Sequence, residues 1–236
     1  MAGLATGGPN VDVSLLYEIN GLARHAPDGL DRAVGLVGEY GLPLAMVLLV
    51  LWCWRGARRL DEAPAVDSFV ALVWAPLAAG LALLLNVPLR EFVGRPRPFL
   101  QHEGLEVLGS GSGLGARLGG AEFSFVSDHA TLTMAMAVGL FIAHRRIGYV
   151  GIGVALLEGL CRVYTGVHYP TDVIGGFALG TAVVLLLAPA AAALLTPVVR
   201  AVVRWPRARW LVRAGERVVA RPVELAPRSH ESDLAA

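Results

Sequence analysis

The residues with the greatest chemical capacity sit in one short stretch, Cys161-Arg162-Val163-Tyr164-Thr165-Gly166-Val167-His168-Tyr169-Pro170-Thr171-Asp172, between two apolar runs. His168 and Asp172 are four residues apart, so one helical turn would put them on one face. An imidazole held by a carboxylate has a fixed tautomer and can act as a nucleophile or a base. Arg162 beside them points to an anionic substrate, foremost a phosphate, which a guanidinium grips through paired hydrogen bonds. Two further clusters carry complementary groups. Arg90 is followed by Arg95-Pro96-Arg97-Pro98, and Ser127-Asp128-His129 opens an apolar run.

The elements that must position these groups are membrane helices. Of 236 residues, 55% are hydrophobic and 17% charged, against a usual charged share of about a quarter. Mean hydropathy is +0.59, which points to one compact membrane domain. A net charge of +1 gives no reason to expect a nucleic-acid partner. Cys53 and Cys161 lie in or beside apolar runs, which argues against a disulfide framework. The N-terminus has no basic stretch ahead of an apolar core, so no cleavable signal peptide is expected.

From Val11 to about Ala26 the chain is too polar to span and reads as an amphipathic helix in the membrane interface, with a short span as the alternative. Spans are expected over about 30–54, 66–89, 127–143, 147–164 and 172–199. The expected fold class is therefore all-α, a polytopic bundle of about five transmembrane helices, six being possible. The domain division is an N-terminal segment to residue 29, a membrane domain over 30–199 and a basic tail over 200–236. Residues 99–125 form a long loop that includes Gly109-Ser110-Gly111-Ser112-Gly113. Its composition is that of a linker, with Leu105, Val107, Leu108, Leu114 and Leu118 leaving room for a lid. Residues 1–10 and those after Pro222 read as disordered. The tail from Arg200 to Arg221 reads as a basic helix on an anionic leaflet.

With five spans, Arg55, Arg58, Arg59, Arg145, Arg146 and the Arg200–Arg221 run all fall on one side, which the positive-inside rule makes cytoplasmic. The three polar clusters then share the opposite, external face.

Together the clusters resemble the type 2 phosphatidic acid phosphatase (PAP2) superfamily of membrane lipid phosphatases, whose signatures are Lys-x6-Arg-Pro, Pro-Ser-Gly-His and Ser-Arg-x5-His-x3-Asp. The resemblance covers about residues 30–195 and keeps order and spacing. Arg90 stands in place of Lys, Val126 of Pro, Asp128 of Gly and Cys161 of Ser. Ser-Asp-His resembles the undecaprenyl-diphosphatase (bacitracin-resistance) branch, which serves cell-wall biosynthesis from the bacterial plasma membrane.

The resemblance implies roles. His168 attacks phosphorus to form a phosphohistidine. Asp172 holds its other ring nitrogen. His129 protonates the leaving oxygen and then activates water. Arg90, Arg97, Arg162, Ser127 and the N–H of Asp128 hold phosphate oxygens, helped by the dipole of the third span. Neither cofactor nor metal is implied. The expected substrate is a lipid phosphate, first an undecaprenyl or decaprenyl diphosphate, which also suits the abundance of arginine when Arg95 is counted. Phosphatidic acid and phosphatidylglycerol phosphate are the alternatives. Readings of another class are a non-hydrolytic polyprenyl phosphate carrier or flippase, against which His129, His168 and Asp172 stand, and a vanadate-dependent haloperoxidase, against which the short, apolar chain stands. Taken singly, Arg90 and Arg162 also fit interfacial anchors, Asp128 and Asp172 fit helix caps, and Arg95 fits either a topological or a headgroup role.

Overall fold

Residues 10–108 and 122–213 are described by a computed structural model, and the regular structure among them is helical. The Gly/Ser stretch 109–113, with Leu114 and Leu118, and the expected disordered residues 1–9 and beyond Pro222 lie outside the described residues. The helices are α1 (Val11–Gly21), α2 (Asp28–Leu36), α3 (Leu42–Ala57), α4 (Glu62–Val93), α5 (Pro98–Gln101), α6 (Asp128–Ala143), α7 (Arg145–Tyr164) and α8 (Pro170–Arg204). A π-helical turn, Val37–Gly41, joins α2 to α3 as one segment.

Among the described residues four segments are long and apolar enough to cross a membrane: Asp28–Ala57, Glu62–Val93, Arg145–Tyr164 and Pro170–Arg204. Their lipid-facing sides carry exposed Leu48, Leu51, Trp52, Leu84, Leu156, Leu186 and Leu194. The fifth, α6, has 16 residues and sits at the centre, packed on α4, α7 and α8. The protein is thus an all-α integral membrane bundle. The first and last spans run a few residues further than their apolar cores alone suggest.

Small residues let the helices close on α6, as is usual where no hydrophobic force drives helices together in lipid. On α8, Gly176 and Gly180 face it. A Cβ at Gly176 would lie 2.8 Å from the Ser127 carbonyl oxygen. That close approach allows the Ser127 N–H to donate to the Asp172 carbonyl at 3.1 Å, joining the starts of α6 and α8.

Chain direction brings the ends of α4 and α7 together with the starts of α3, α6 and α8. Gly94 ends α4 in the left-handed region (φ 58°), its N–H donating to the Arg90 carbonyl at 2.9 Å. The two prolines that follow prevent resumption of the helix. α1 lies over this same end and does not span. At the opposite end, residues 205–213 fold back rather than form the expected basic helix. Only Arg209–Leu211 make a 3₁₀ turn, Val212 is buried with Ala65, Val66, Val70 and Val199, and the Leu211 carbonyl accepts from Trp54 Nε1 at 2.7 Å. Arg217 and Arg221 lie outside the described residues.

Candidate active site

α4 delivers Asn86 and Arg90, one turn apart and both buried. Both reach the turn before α6. Arg90 Nη2 donates to Asp128 Oδ1 at 2.6 Å and to the Val126 carbonyl at 3.1 Å. Asn86 Nδ2 donates to the same two oxygens at 2.6 and 2.9 Å, and its Oδ1 accepts from the Val126 N–H at 3.2 Å. The N-cap of α6 is Ser127, whose hydroxyl oxygen accepts from the Ala130 N–H at 3.5 Å. The capping alternative for Asp128 is thereby corrected: its carboxylate faces Arg90 and Asn86.

Arg162, at the last turn of α7, is buried between two carboxylates. Nη1 donates to Glu39 Oε2 at 3.0 Å, and Nε lies 2.9 Å from Glu158 Oε1 as an ion pair. Glu39 lies inside the π turn Val37–Gly41, a feature frequent at functional sites. Gly38 sits tightly against the Arg162 guanidinium and Cys161. Arg97, also buried, donates its backbone N–H to the Glu122 carbonyl at 3.0 Å and lies in electrostatic reach of Arg90, Asp128, Asp172 and Arg162.

His168 lies in the turn between α7 and α8, where Gly166 (φ 69°) reverses the chain. It is 5% exposed. Nδ1 is 3.0 Å from the Ser124 carbonyl oxygen and 3.7 Å from Asp172 Oδ2. A carbonyl can only accept, so Nδ1 carries the proton and Nε2 keeps its lone pair. Burial lowers the proton affinity of the ring; Asp172 opposes this, and Arg97 and Arg162 add to it. His168 and Asp172 do not share a helix face as their spacing suggests, because α8 starts only at Pro170. Asp172 is instead part of a capping box: Oδ2 accepts from the Tyr169 N–H at 2.9 Å, and Oδ1 accepts from Arg95 Nη1 at 3.0 Å.

His129, in the first turn of α6, feels the charges of Arg162, Glu39, His168 and Asp128. The structure therefore brings Arg90, Arg97, Ser127, Asp128, His129, Arg162, His168 and Asp172 to one end of the bundle. Sequence reasoning missed Asn86, Glu39 and Glu158, although each interrupts an apolar run, a signal in itself for a membrane segment. The Ser124 carbonyl carries no signal in side-chain chemistry.

A buried imidazole among arginines, at one end of a membrane helix bundle, is the arrangement that a phosphate-handling membrane enzyme needs. Residues 71–195 match the PAP2 superfamily, and the chain belongs to it. It is a PAP2 lipid phosphatase. It is 27% identical over 166 residues to undecaprenyl-diphosphatase BcrC of Bacillus subtilis, covering 70% of this chain and 76% of that one. It is 25% identical over 174 residues to the putative undecaprenyl-diphosphatase YbjG of Escherichia coli, covering 72% and 78%. Over a shorter stretch of 118 residues it is 34% identical to phosphatidylglycerophosphatase B of Bacillus subtilis, covering 44% and 50%. In fold it is similar to the crystal structure of Aquifex aeolicus LpxE, with a TM-score of 0.54 at 22% identity over 76% of this chain and 95% of that one.

Proposed function

We propose that the protein hydrolyses a polyprenyl diphosphate, of the undecaprenyl or decaprenyl kind, to the monophosphate and free phosphate, through a phosphohistidine on His168. The carrying observation is the His168 Nδ1 contact with the Ser124 carbonyl, which leaves Nε2 as a lone pair in a site lined by arginines. In the first step Nε2 attacks the terminal phosphorus, and the bridging oxygen leaves with a proton from His129. In the second step His129 takes a proton from water, the water oxygen attacks the phosphohistidine, and the N–P bond breaks. Asp172 stabilises the ring while it is cationic. Arg90, Arg97, Arg162, Ser127 and the Asp128 N–H hold the phosphoryl oxygens, and the guanidinium groups supply the cationic charge, so no metal is required.

The polyprenyl substrate is supported by the similarity to the two proteins named as undecaprenyl-diphosphatases, over about 70% of the chain. The likeness to phosphatidylglycerophosphatase B supports a second reading, a phospholipid phosphomonoester. An extracytoplasmic site is supported by the arginines gathered at the other end: Arg55, Arg58, Arg59, Arg145, Arg146, Arg200 and Arg204. Phosphate release by detergent-purified protein, with and without EDTA, from undecaprenyl diphosphate, farnesyl diphosphate, phosphatidic acid and phosphatidylglycerol phosphate tests the proposal. A higher kcat/KM for the polyprenyl diphosphate, unchanged by EDTA, is expected. A preference for either phospholipid, or loss of activity with EDTA, overturns it.

A further inference from the structure

Both terminal nitrogens of Arg95 are taken by protein oxygens. Nη2 pairs with Asp12 Oδ2 at 2.5 Å, while Nη1 donates to Asp172 Oδ1 at 3.0 Å and to Thr171 Oγ1 at 2.7 Å. The guanidinium carbon sits 3.6 Å from the centroid of the Tyr169 ring. Asp12 also accepts from the Thr171 N–H at 2.9 Å and the Thr171 hydroxyl at 2.7 Å. A planar fork held on one face by a ring and at two ends by carboxylates is set in place rather than free to follow a headgroup.

Asp12 belongs to the first turn of α1, and α1 is itself fastened over the site. Tyr17 Oη donates to the Glu103 carbonyl at 2.9 Å. Asn20 Nδ2 donates to the carbonyls of Glu106 and Tyr164 at 2.8 and 2.7 Å, and its Oδ1 accepts from the Glu106 N–H at 2.9 Å. Leu16 is fully buried among Val163, Tyr169 and Val173.

We propose that Asp12, acting through Arg95, positions the Asp172 carboxylate beside His168, so that α1 is a working part of the active site and Arg95 is a positioning residue, not a headgroup ligand. The proposal rests on the phosphatase reading above. Asp172 has one oxygen tied to the Tyr169 N–H and the other to Arg95; two anchors fix the plane of the carboxylate, and one would let it turn. Charge gives the second reason. When His168 carries the phosphoryl group its ring is cationic, and Asp172 is the anion beside it. A lone Arg95 would cancel that anion. With Asp12 on its far side the three groups sum to one negative charge, and Asp172 keeps its effect on the ring.

The test uses the full-length protein in detergent with undecaprenyl diphosphate, comparing Asp12→Asn, Arg95→Gln and the double variant. Arg95→Gln should lower kcat by roughly 10- to 100-fold, the scale on which a small misplacement near the chemistry acts, with KM little changed. Asp12→Asn should lower kcat less. The double variant should be no worse than Arg95→Gln, because both act through one contact. The charged and titratable groups facing His168 are Asp128 and His129 from α6, Arg162 from α7, Arg97 from the segment before α5, and Asp172 from α8, with Arg95 and Asp12 behind Asp172. Withdrawing the Arg95 cation should move the acid limb of kcat/KM to higher pH, and withdrawing the Asp12 anion should move it to lower pH. A merely structural role moves thermal stability without these opposed shifts. A rise in KM at constant kcat for Arg95→Gln, additive losses, or shifts of the same sign overturn the proposal. If the wild type releases phosphate from none of the lipids, the phosphatase reading falls instead. The opposed shifts can then be sought in the titration of His168 by ring-¹⁵N histidine spectra, assigned with His168→Gln, and their absence there overturns the positioning role.

Discussion

Asp128→Asn probes how the site balances charge. Asp128 Oδ1 accepts from Arg90 and from Asn86, both at 2.6 Å. Arg90 is 3% exposed and stands where the family has its lysine. A phosphate that takes Arg90 must first draw it from this carboxylate and then lie beside the carboxylate's charge. Hydrogen bonds to charged groups contribute about 1.5–3 kcal/mol; the Arg90–carboxylate bond, charged on both sides, sits near the top of that range, and an Arg90–amide bond, charged on one side, near the bottom. Exchanging the carboxylate for an amide therefore weakens the competing bond by about 1–1.5 kcal/mol, roughly a 5- to 12-fold change in affinity. The amide oxygen still accepts from Arg90, so the side chain keeps its place. The fold loses a counter-ion to a buried cation, which costs about 3–5 kcal/mol when a partner is removed outright and less when the hydrogen bond survives. The expected outcome is a lower KM for the lipid diphosphate and a lower inhibition constant for inorganic phosphate, each by roughly 5- to 12-fold on the same arithmetic, with a reduced Tm. Phosphate-release kinetics in mixed micelles and thermal unfolding by tryptophan fluorescence measure both. An unchanged or higher inhibition constant for phosphate would refute the reasoning and make Asp128 a support that holds Arg90 in its productive position.

Arg90, His168 and the sidedness of the bundle give three further outcomes. Arg90→Lys should stay active, since a cation remains to meet the phosphate, whereas Arg90→Ala should lose most of its kcat/KM through the loss of charge-assisted contacts; equal activity of Ala and wild type would reduce Arg90 to an anchor. Burial lowers the proton affinity of His168 from its ordinary pKa of 6.5, and attack needs the neutral ring, so the acid limb of kcat/KM should have its midpoint below 6.5, with a fall on the basic side as His129 loses the proton it donates; an acid-limb midpoint above 6.5 would show that Asp172 outweighs burial. An impermeant thiol reagent applied to intact cells should label Glu103→Cys, at the site end, and spare Arg59→Cys, at the other, against a background of buried Cys53 and Cys161; the reverse pattern would invert the sidedness.

Much of this arrangement was legible in the chain itself, for reasons that differ by residue. The bundle shows in the length and apolarity of the runs, because backbone groups in lipid must be satisfied within a helix. Arg90, Arg97, Ser127, His129, Arg162, His168 and Asp172 show in their spacing at the ends of those runs. The partners of these residues show less. Asn86, Glu39 and Glu158 were visible as polar breaks, but which arginine each meets depends on helix packing over more than a hundred residues in the case of Glu39 and Arg162. The pairing of Asp12 with Arg95 spans 83 positions and a helix that does not cross the membrane, and no local pattern encodes it. The helical spacing of His168 and Asp172 misled because Pro170 begins a new helix between them, and the Ser124 carbonyl, not Asp172, makes the shorter contact to Nδ1.

The covalent intermediate is the central claim, and rapid acid-free quenching tests it most directly. Protein mixed with undecaprenyl diphosphate labelled on its terminal phosphate, quenched in alkali within the first turnover and digested, should yield a labelled peptide containing His168, stable to base and lost in acid. His168→Gln should yield none, and His129→Gln, which removes the acid of the first step as well as the base of the second, should form the label more slowly than the wild type and still on His168. Turnover at the normal rate with no labelled histidine, or label on a residue other than His168, would contradict the account.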